Sequence, residues 1–238
     1  KDYQHQVLKA VYNPNTTSLQ AAIKRLCDEA VEAVKGGAVL LIVSDREIGK
    51  ELIQIPAPLS VGAIQQRLVE TNRRCDANIV VETGSARDPH HFAVLIGLGA
   101  TAVYPYLAYE SLANMVARGA ISKPLRVVTA NFRNGINKGL YKIMSKMGIS
   151  TISSYRCARL FELVGIGNEV ADVCFKGMVS RINGAGFAEL EGDLKRFHKY
   201  AWRKSQSLDA GGFLKYKPQG EYHMYNPDVV NTLQQAVN

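Results

Sequence analysis

Ala38 to Val43 is an uninterrupted apolar run, and it constrains this chain more than any other feature. A strand with one wet face alternates apolar and polar residues. One that is apolar at every position reads as buried on both faces, as in a parallel sheet covered by helices. The flanking sequence agrees. Leu19, Ile23, Leu26, Ala30 and Ala33 recur at helical spacing, Thr17 and Gln20 form a capping box before them, and Gly36-Gly37 closes the helix. The pattern then repeats. Ser60 to about Asn72 reads as a helix, and Asn78 to Val81 as the next buried strand. Asp88-Pro89 reads as an N-cap followed by proline at the first position of a helix through Ile96. Ala102 to Tyr104 is a strand and Ser111 to Ala117 a helix, and the opening segment supplies a further helix and strand.

This alternation predicts an α/β fold with a largely parallel sheet built from repeated βα units. A partial or irregular β/α barrel and an open doubly wound sheet both satisfy it. Val170 to Phe175 is a candidate fifth strand, and Ile149 to Ile152 a short β-prone run after Gly148. Past Gly184 the character changes. Phe187, Leu190, Leu194, Phe197 and Ala201 mark a long amphipathic helix ending near Arg203. Ala210-Gly211-Gly212 reads as a flexible link, Lys215 to Gly220 as a turn-rich basic segment, and Pro227 to Val237 as a last helix. The expected division is a domain over 1–205 and a helical and loop extension over 206–238.

With 238 residues, 47% of them apolar and 21% charged, the chain can build a sizeable core. Its longest aliphatic run, Val39 to Val43, is far short of the roughly 20 residues that span a membrane, and no signal segment opens it. The expectation is a cytoplasmic chain with no membrane partner. It opens on Lys1 rather than Met, and its last helix lacks a C-cap, which reads as a segment of a longer polypeptide. Cys27, Cys75, Cys157 and Cys174 have no metal-ligand spacing and read as reduced thiols, so no metal site is expected. The formal net charge of +8 fits an anionic partner or a solvated basic face. Basic residues read as spread along the chain without an aromatic-and-basic signature, so no nucleic-acid partner is expected.

Few motifs carry chemistry. Gly97 to Ala102 fits GxGxxA, but a helix precedes it and a strand follows, the reverse of a dinucleotide site, so its glycines read as a turn. His90 and His91 are adjacent, point roughly 100° apart on a helix and cannot chelate one ion together. At a strand's carboxyl end, one of these histidines is a candidate acid or base with Glu82, Arg87 or Asp88, which makes Arg87 and His90 candidate rim residues. Tyr155 and Arg156, after the run ending at Ile152, are candidates for a rim site or for bracing an interface. Lys138, Lys142 and Lys146 form a row on one helix face, either solvated or a dock for an acidic neighbour. No catalytic constellation and no cofactor-binding or metal residues are assigned.

Four stretches carry a resemblance. Asn137 to Gly165, NKGLYKIMSKMGISTISSYRCARLFELVG, is similar to the central domain of the large chain of bacterial NADPH-type glutamate synthases. Val80 to Ala108 resembles that family's second signature in this region, Gly192 to Trp202 the helix leading out of the domain, and Glu221 to Val230 the start of the flavin-binding synthase domain. The resemblance implies a non-catalytic domain linking a glutaminase to an FMN domain and helping to enclose the passage for ammonia. It implies FMN and an iron–sulfur cluster in the parent chain but not in this segment. It also implies a small NADPH-oxidising subunit as partner. Lys1 cannot be the family's first-position cysteine nucleophile. The alternatives are an autonomous α/β flavin- or phosphate-ligand-binding enzyme using Arg87, His90, Tyr155 and Arg156, and, behind it, a basic nucleic-acid module. A last expectation is that Phe213 to Asn238 packs on a flavin domain.

Overall fold

The computed structural model describes residues 3–204 and 211–237. It divides into two units, Lys1–His198 and Lys199–Asn238. The boundary expected at 205/206, and Ala210 of the expected link, lie outside the described residues.

In the first unit, four strands make one parallel sheet: β1 (His5–Lys9), β3 (Leu40–Ser44), β5 (Asn78–Glu82) and β6 (Ala102–Tyr104), adjacent in that order. Helices α1 (Leu19–Lys35), α2 (Ala57–Glu70) and α3 (Pro89–Gly97) make the crossovers. Strands added in chain order by right-handed crossovers place their helices on one face. Accordingly α1 packs on α2, and α2 on α3. This is a barrel-like arc, not a doubly wound sheet. The expected burial of the apolar run on both faces holds on one face only: Leu41 and Val43 are buried under the helices, while Leu40 and Ile42 on the other face are only partly covered.

The core joins strand residues Leu8, Leu41 and Ile79 to Leu19, Ile23 and Leu26 of α1, Ile64 and Leu68 of α2, and Leu95 of α3. Ser18 caps α1, its hydroxyl accepting the Ala21 N–H at 3.2 Å, one residue past the expected Thr17. Glu191 accepts the Leu19 N–H at 2.8 Å, fixing α8 (Phe187–Ala201) to the start of α1. A short antiparallel pair, β2 (Val11–Tyr12) with β4 (Ile53–Gln54), lies beyond the sheet's carboxyl end.

After β6 come α4 (Tyr106–Ala117) and the long α5 (Leu125–Lys146), which crosses α3. Gly139 permits that crossing: a Cβ there would sit 2.5 Å from Pro89 Cβ and nearer still to Cγ. Two strand expectations fail. Ile149 to Thr151 is irregular and leads into the single-turn helix α6 (Ile152–Tyr155), because β-prone residues with no neighbouring strand have nothing to pair with. Val170 to Phe175 is mostly helix α7 (Asn168–Cys174), whose Val170, Ala171 and Cys174 share one buried helical face. A second parallel pair, β7 (Glu162–Ile166) with β8 (Val179–Ala185), flanks α7. Gly62 lets α2 approach α7.

In the second unit, α9 (Pro227–Val237) has the expected bounds and buries none of its residues. Asn226 is buried and accepts the His223 N–H at 2.9 Å, and His223 Nε2 bonds Gly212 O at 2.7 Å.

Candidate functional site

In a parallel β/α sheet the carboxyl ends of the strands are where loops converge. Here register sets Lys9, Ser44, Glu82 and Tyr104 side by side at that end. The next residues build a polar layer. Asp45 is only 3% exposed; its Oδ2 accepts the Thr83 hydroxyl at 2.5 Å and its Oδ1 the Gly84 N–H at 3.0 Å. Tyr106 lies beside this cluster, and burial together with the nearby Asp45 carboxylate raises its hydroxyl's pKa. A Cβ at Gly84 would lie 3.1 Å from the Tyr106 hydroxyl, so a larger residue there would have to push that side chain by a few tenths of an ångström. In the adjacent layer Ser44 Oγ donates to Glu82 at 2.5 Å, and Arg46 donates from Nε to Glu82 at 3.0 Å and from Nη1 to Glu110 at 3.2 Å. The Arg46 guanidinium stacks 4.4 Å from the Tyr106 ring centre.

Chemically this rim is a brace. Each carboxylate is occupied by internal donors, and the backbone N–H most suited to an anion, that of Gly84, already holds Asp45. The two carboxylates Asp45 and Glu82 also repel a phosphate arriving at this end. What the cluster does is tie the loops after β3 and β5 to the start of α4.

The four candidate residues fall in two places. Arg87 and His90 lie on the turn from β5 into α3, on the rim side, with exposed side chains. Asp88 caps α3 as expected, its Oδ1 accepting the N–H groups of His90 at 2.9 Å and His91 at 3.2 Å. His91, not His90, bonds this turn, its Nδ1 accepting the Arg87 N–H at 3.1 Å. Tyr155 and Arg156 are at the opposite end of the sheet. Arg156 reaches Thr101, just before β6, at 3.4 Å, and the Cys157 N–H bonds Gly97 O. Tyr155 is 1% exposed, packed with Ala93 and Met144 and edge-on to Phe161, and burial raises its pKa. It is a packing residue of the α3–α5 contact, and no single rim holds all four.

The rim cluster was legible only in part. Ser44-Asp45-Arg46 and Thr83-Gly84-Ser85 are polar triplets at the ends of two buried runs, and that repeat is the available signal. Elsewhere, a groove of about 540 Å³ runs between α1, α2 and α7. Its charges pair with one another, Arg67 with Asp28 at 3.0 Å and Lys24 with Asp28 at 3.1 Å. Cys27 in this groove is buried, and burial pushes its thiol up to about 12, which disfavours the thiolate. Among the described residues no group of three or more His, Cys, Asp or Glu is placed to hold a metal ion. Cys27 and Cys174 are buried and Cys75 and Cys157 exposed, so they do not fit an iron–sulfur cluster. No described helix is long and apolar enough to cross a membrane.

The parallel sheet of repeated βα units, with polar residues paired along its carboxyl rim, defines an α/β domain. Comparison with known proteins makes the assignment specific. Residues 1–167 match the glutamate synthase central domain, and the chain belongs to that family. It is 36% identical over 98% of its length to the NADPH glutamate synthase large chain of Bacillus subtilis. Over 92% of its length it is 40% identical to the NADPH large chain of Azospirillum brasilense, and over 90% it is 39% identical to the ferredoxin-dependent glutamate synthase of Pyropia yezoensis. It spans only 15% to 16% of the length of these three relatives.

Proposed function

We propose that this domain is a non-catalytic spacer within a glutamate synthase, joining the glutaminase to the FMN-binding synthase domain and helping to enclose the path of ammonia between them. The parent reaction on this reading makes L-glutamate from glutamine and 2-oxoglutarate, with FMN and an iron–sulfur cluster in other parts of the parent and a small NADPH-oxidising subunit as electron donor. The carrying observation is the closed carboxyl rim, where Thr83 and Gly84 satisfy Asp45, Ser44 and Arg46 satisfy Glu82, and Arg46 stacks on Tyr106. Ammonia released in water is protonated and lost to diffusion, so a passage between two centres needs a wall that does not flex or admit solvent. A rim braced in this way, over a continuous core, supplies that rigidity.

The second unit supports the same reading. Phe213, Leu214, Tyr222, Met224 and Leu233 are exposed, a density of large apolar side chains that calls for a covering surface. A flavin domain is the proposed cover. The test is a fluorescence titration of the chain with FMN, together with an assay for glutamine hydrolysis. The expected result is no saturable quenching and no ammonia release. Stoichiometric FMN binding would overturn the spacer reading and make the sheet rim a cofactor site.

A further inference from the structure

The positive charge of this chain is concentrated. From Ser111 to Phe161 there is no Asp or Glu, while the same stretch carries nine Lys or Arg. The whole chain has a formal net charge of +8, so all the rest sums to one negative charge. Cations are spaced regularly, but the acids that would offset them are absent from this one stretch.

The stretch folds into most of α4, all of α5 and α6. On α5 the charged residues are Arg126, Arg133, Lys138, Lys142 and Lys146, and all five are exposed. None of the nine cations makes an ion pair among the described residues. On α1, by contrast, Lys24, Arg25 and Lys35 each face a carboxylate within 3.1 Å. Like charges at i, i+4 spacing, as in the lysine row, repel mildly and weaken a helix unless something outside it answers them. Apolar side chains stand among these cations: Tyr141 is 68% exposed, and Leu125, Val127 and Met147 are exposed too. At the α4–α5 junction Arg126 and Arg133 line a cleft of about 440 Å³ with Tyr104 and Tyr109.

We propose that this α4–α5 face is the docking surface for a separate, acidic protein. Arginine, tyrosine and methionine beside one another is the composition of protein interfaces, and Arg126 and Arg133 are suited to bidentate pairing with carboxylates. A second copy of this chain is a poor occupant, because its remaining surface is close to neutral overall. Nucleic acid is a poor occupant too, since apolar side chains interrupt the cations. A domain tethered to this chain is already held at high effective concentration, whereas a free partner gains its encounter rate from such a field. This inference is independent of the spacer reading.

The test measures binding of the chain to poly-L-glutamate at rising salt, in three forms: wild type, K138Q/K142Q/K146Q, and K9Q/K24Q/K35Q. Both triple variants lose the same charge, and circular dichroism checks that both keep the fold. Affinity is expected to fall about tenfold in the first variant and less than twofold in the second, and to weaken with salt. Equal losses in both would show that net charge alone is read, and would overturn the proposal. Duplex DNA binding tenfold more tightly than poly-L-glutamate at 150 mM salt, and losing affinity only in the first variant, would transfer the face to nucleic acid and overturn it as well.

Discussion

Gly135 and Gly139 lie one turn apart on α5, and the same substitution should stabilise at the first and give no gain, or a net loss, at the second. Replacing a mid-helix glycine by alanine gains about 1 kcal/mol from reduced backbone entropy in the unfolded chain. At Gly135 a Cβ meets nothing within 4 Å, so Gly135→Ala keeps that gain. At Gly139 the added Cβ falls 2.5 Å from Pro89 Cβ. Carbon atoms need about 3.5 to 4 Å, so α5 must retreat from α3 by about 1 Å or more, and the pyrrolidine ring cannot rotate aside. Overpacking of this kind costs about 1 to 3 kcal/mol. The helix gain is common to both variants, so their difference isolates the clash at about 1 to 3 kcal/mol. Urea unfolding followed by far-ultraviolet circular dichroism measures it. In a chain of this length each kcal/mol also moves Tm by about 2 to 4 °C. Gly139→Ala as stable as Gly135→Ala would refute the close approach of α5 to Pro89, and with it the seating of the basic helix.

Asp45→Asn turns one acceptor of the rim cluster into a donor facing the Thr83 or Gly84 donor, and should lower stability by about 2 to 3 kcal/mol in the same assay. A thiol reagent should label the exposed Cys75 and Cys157 in the folded chain, and Cys27 and Cys174 only on unfolding. Burial pushes both buried thiols up to about 12, so the unfolded chain ionises them first. Their contribution to stability is therefore complete below about pH 8.5 and is lost as pH rises toward 12, which alkaline urea titration of Cys27→Ala against wild type would show. At Glu191 burial alone raises the carboxyl pKa, but Lys195 and the Leu19 N–H overcome it and hold it below its usual value. Its stabilisation is present above the usual carboxylate pKa and fades as pH falls, so Glu191→Gln should destabilise at pH 7 and differ less from wild type below about pH 4.

What the sequence disclosed followed from strong local signals. Asp88-Pro89 located the start of α3, and the boundaries of α9 were readable outright. Gly99, with φ +121°, makes the helix-to-strand turn expected for the Gly97 to Ala102 run. Misreadings came where residue type and tertiary surroundings disagree. Val170 and Val173 are β-branched, yet α7 is a helix because its Val170, Ala171 and Cys174 face α2 at Gly62. Tyr155 looked like a rim residue because a strand was expected before it. Without that strand it turns into the α3–α5 packing. The rim brace depends on pairing Asp45 with Thr83 and Gly84, 38 and 39 residues further along the chain, which no local pattern reveals.

The strand order β1-β3-β5-β6 also bears on how the chain is made. Each strand of the main sheet pairs with the strand synthesised just before it, so no edge waits for a distant segment to emerge from the ribosome. By the time Tyr106 has left the exit tunnel, all four strands and the acid that braces their ends are available. The four-stranded sheet and its crossover helices can therefore commit to their order during translation, before α5 brings its charge or the C-terminal unit exists.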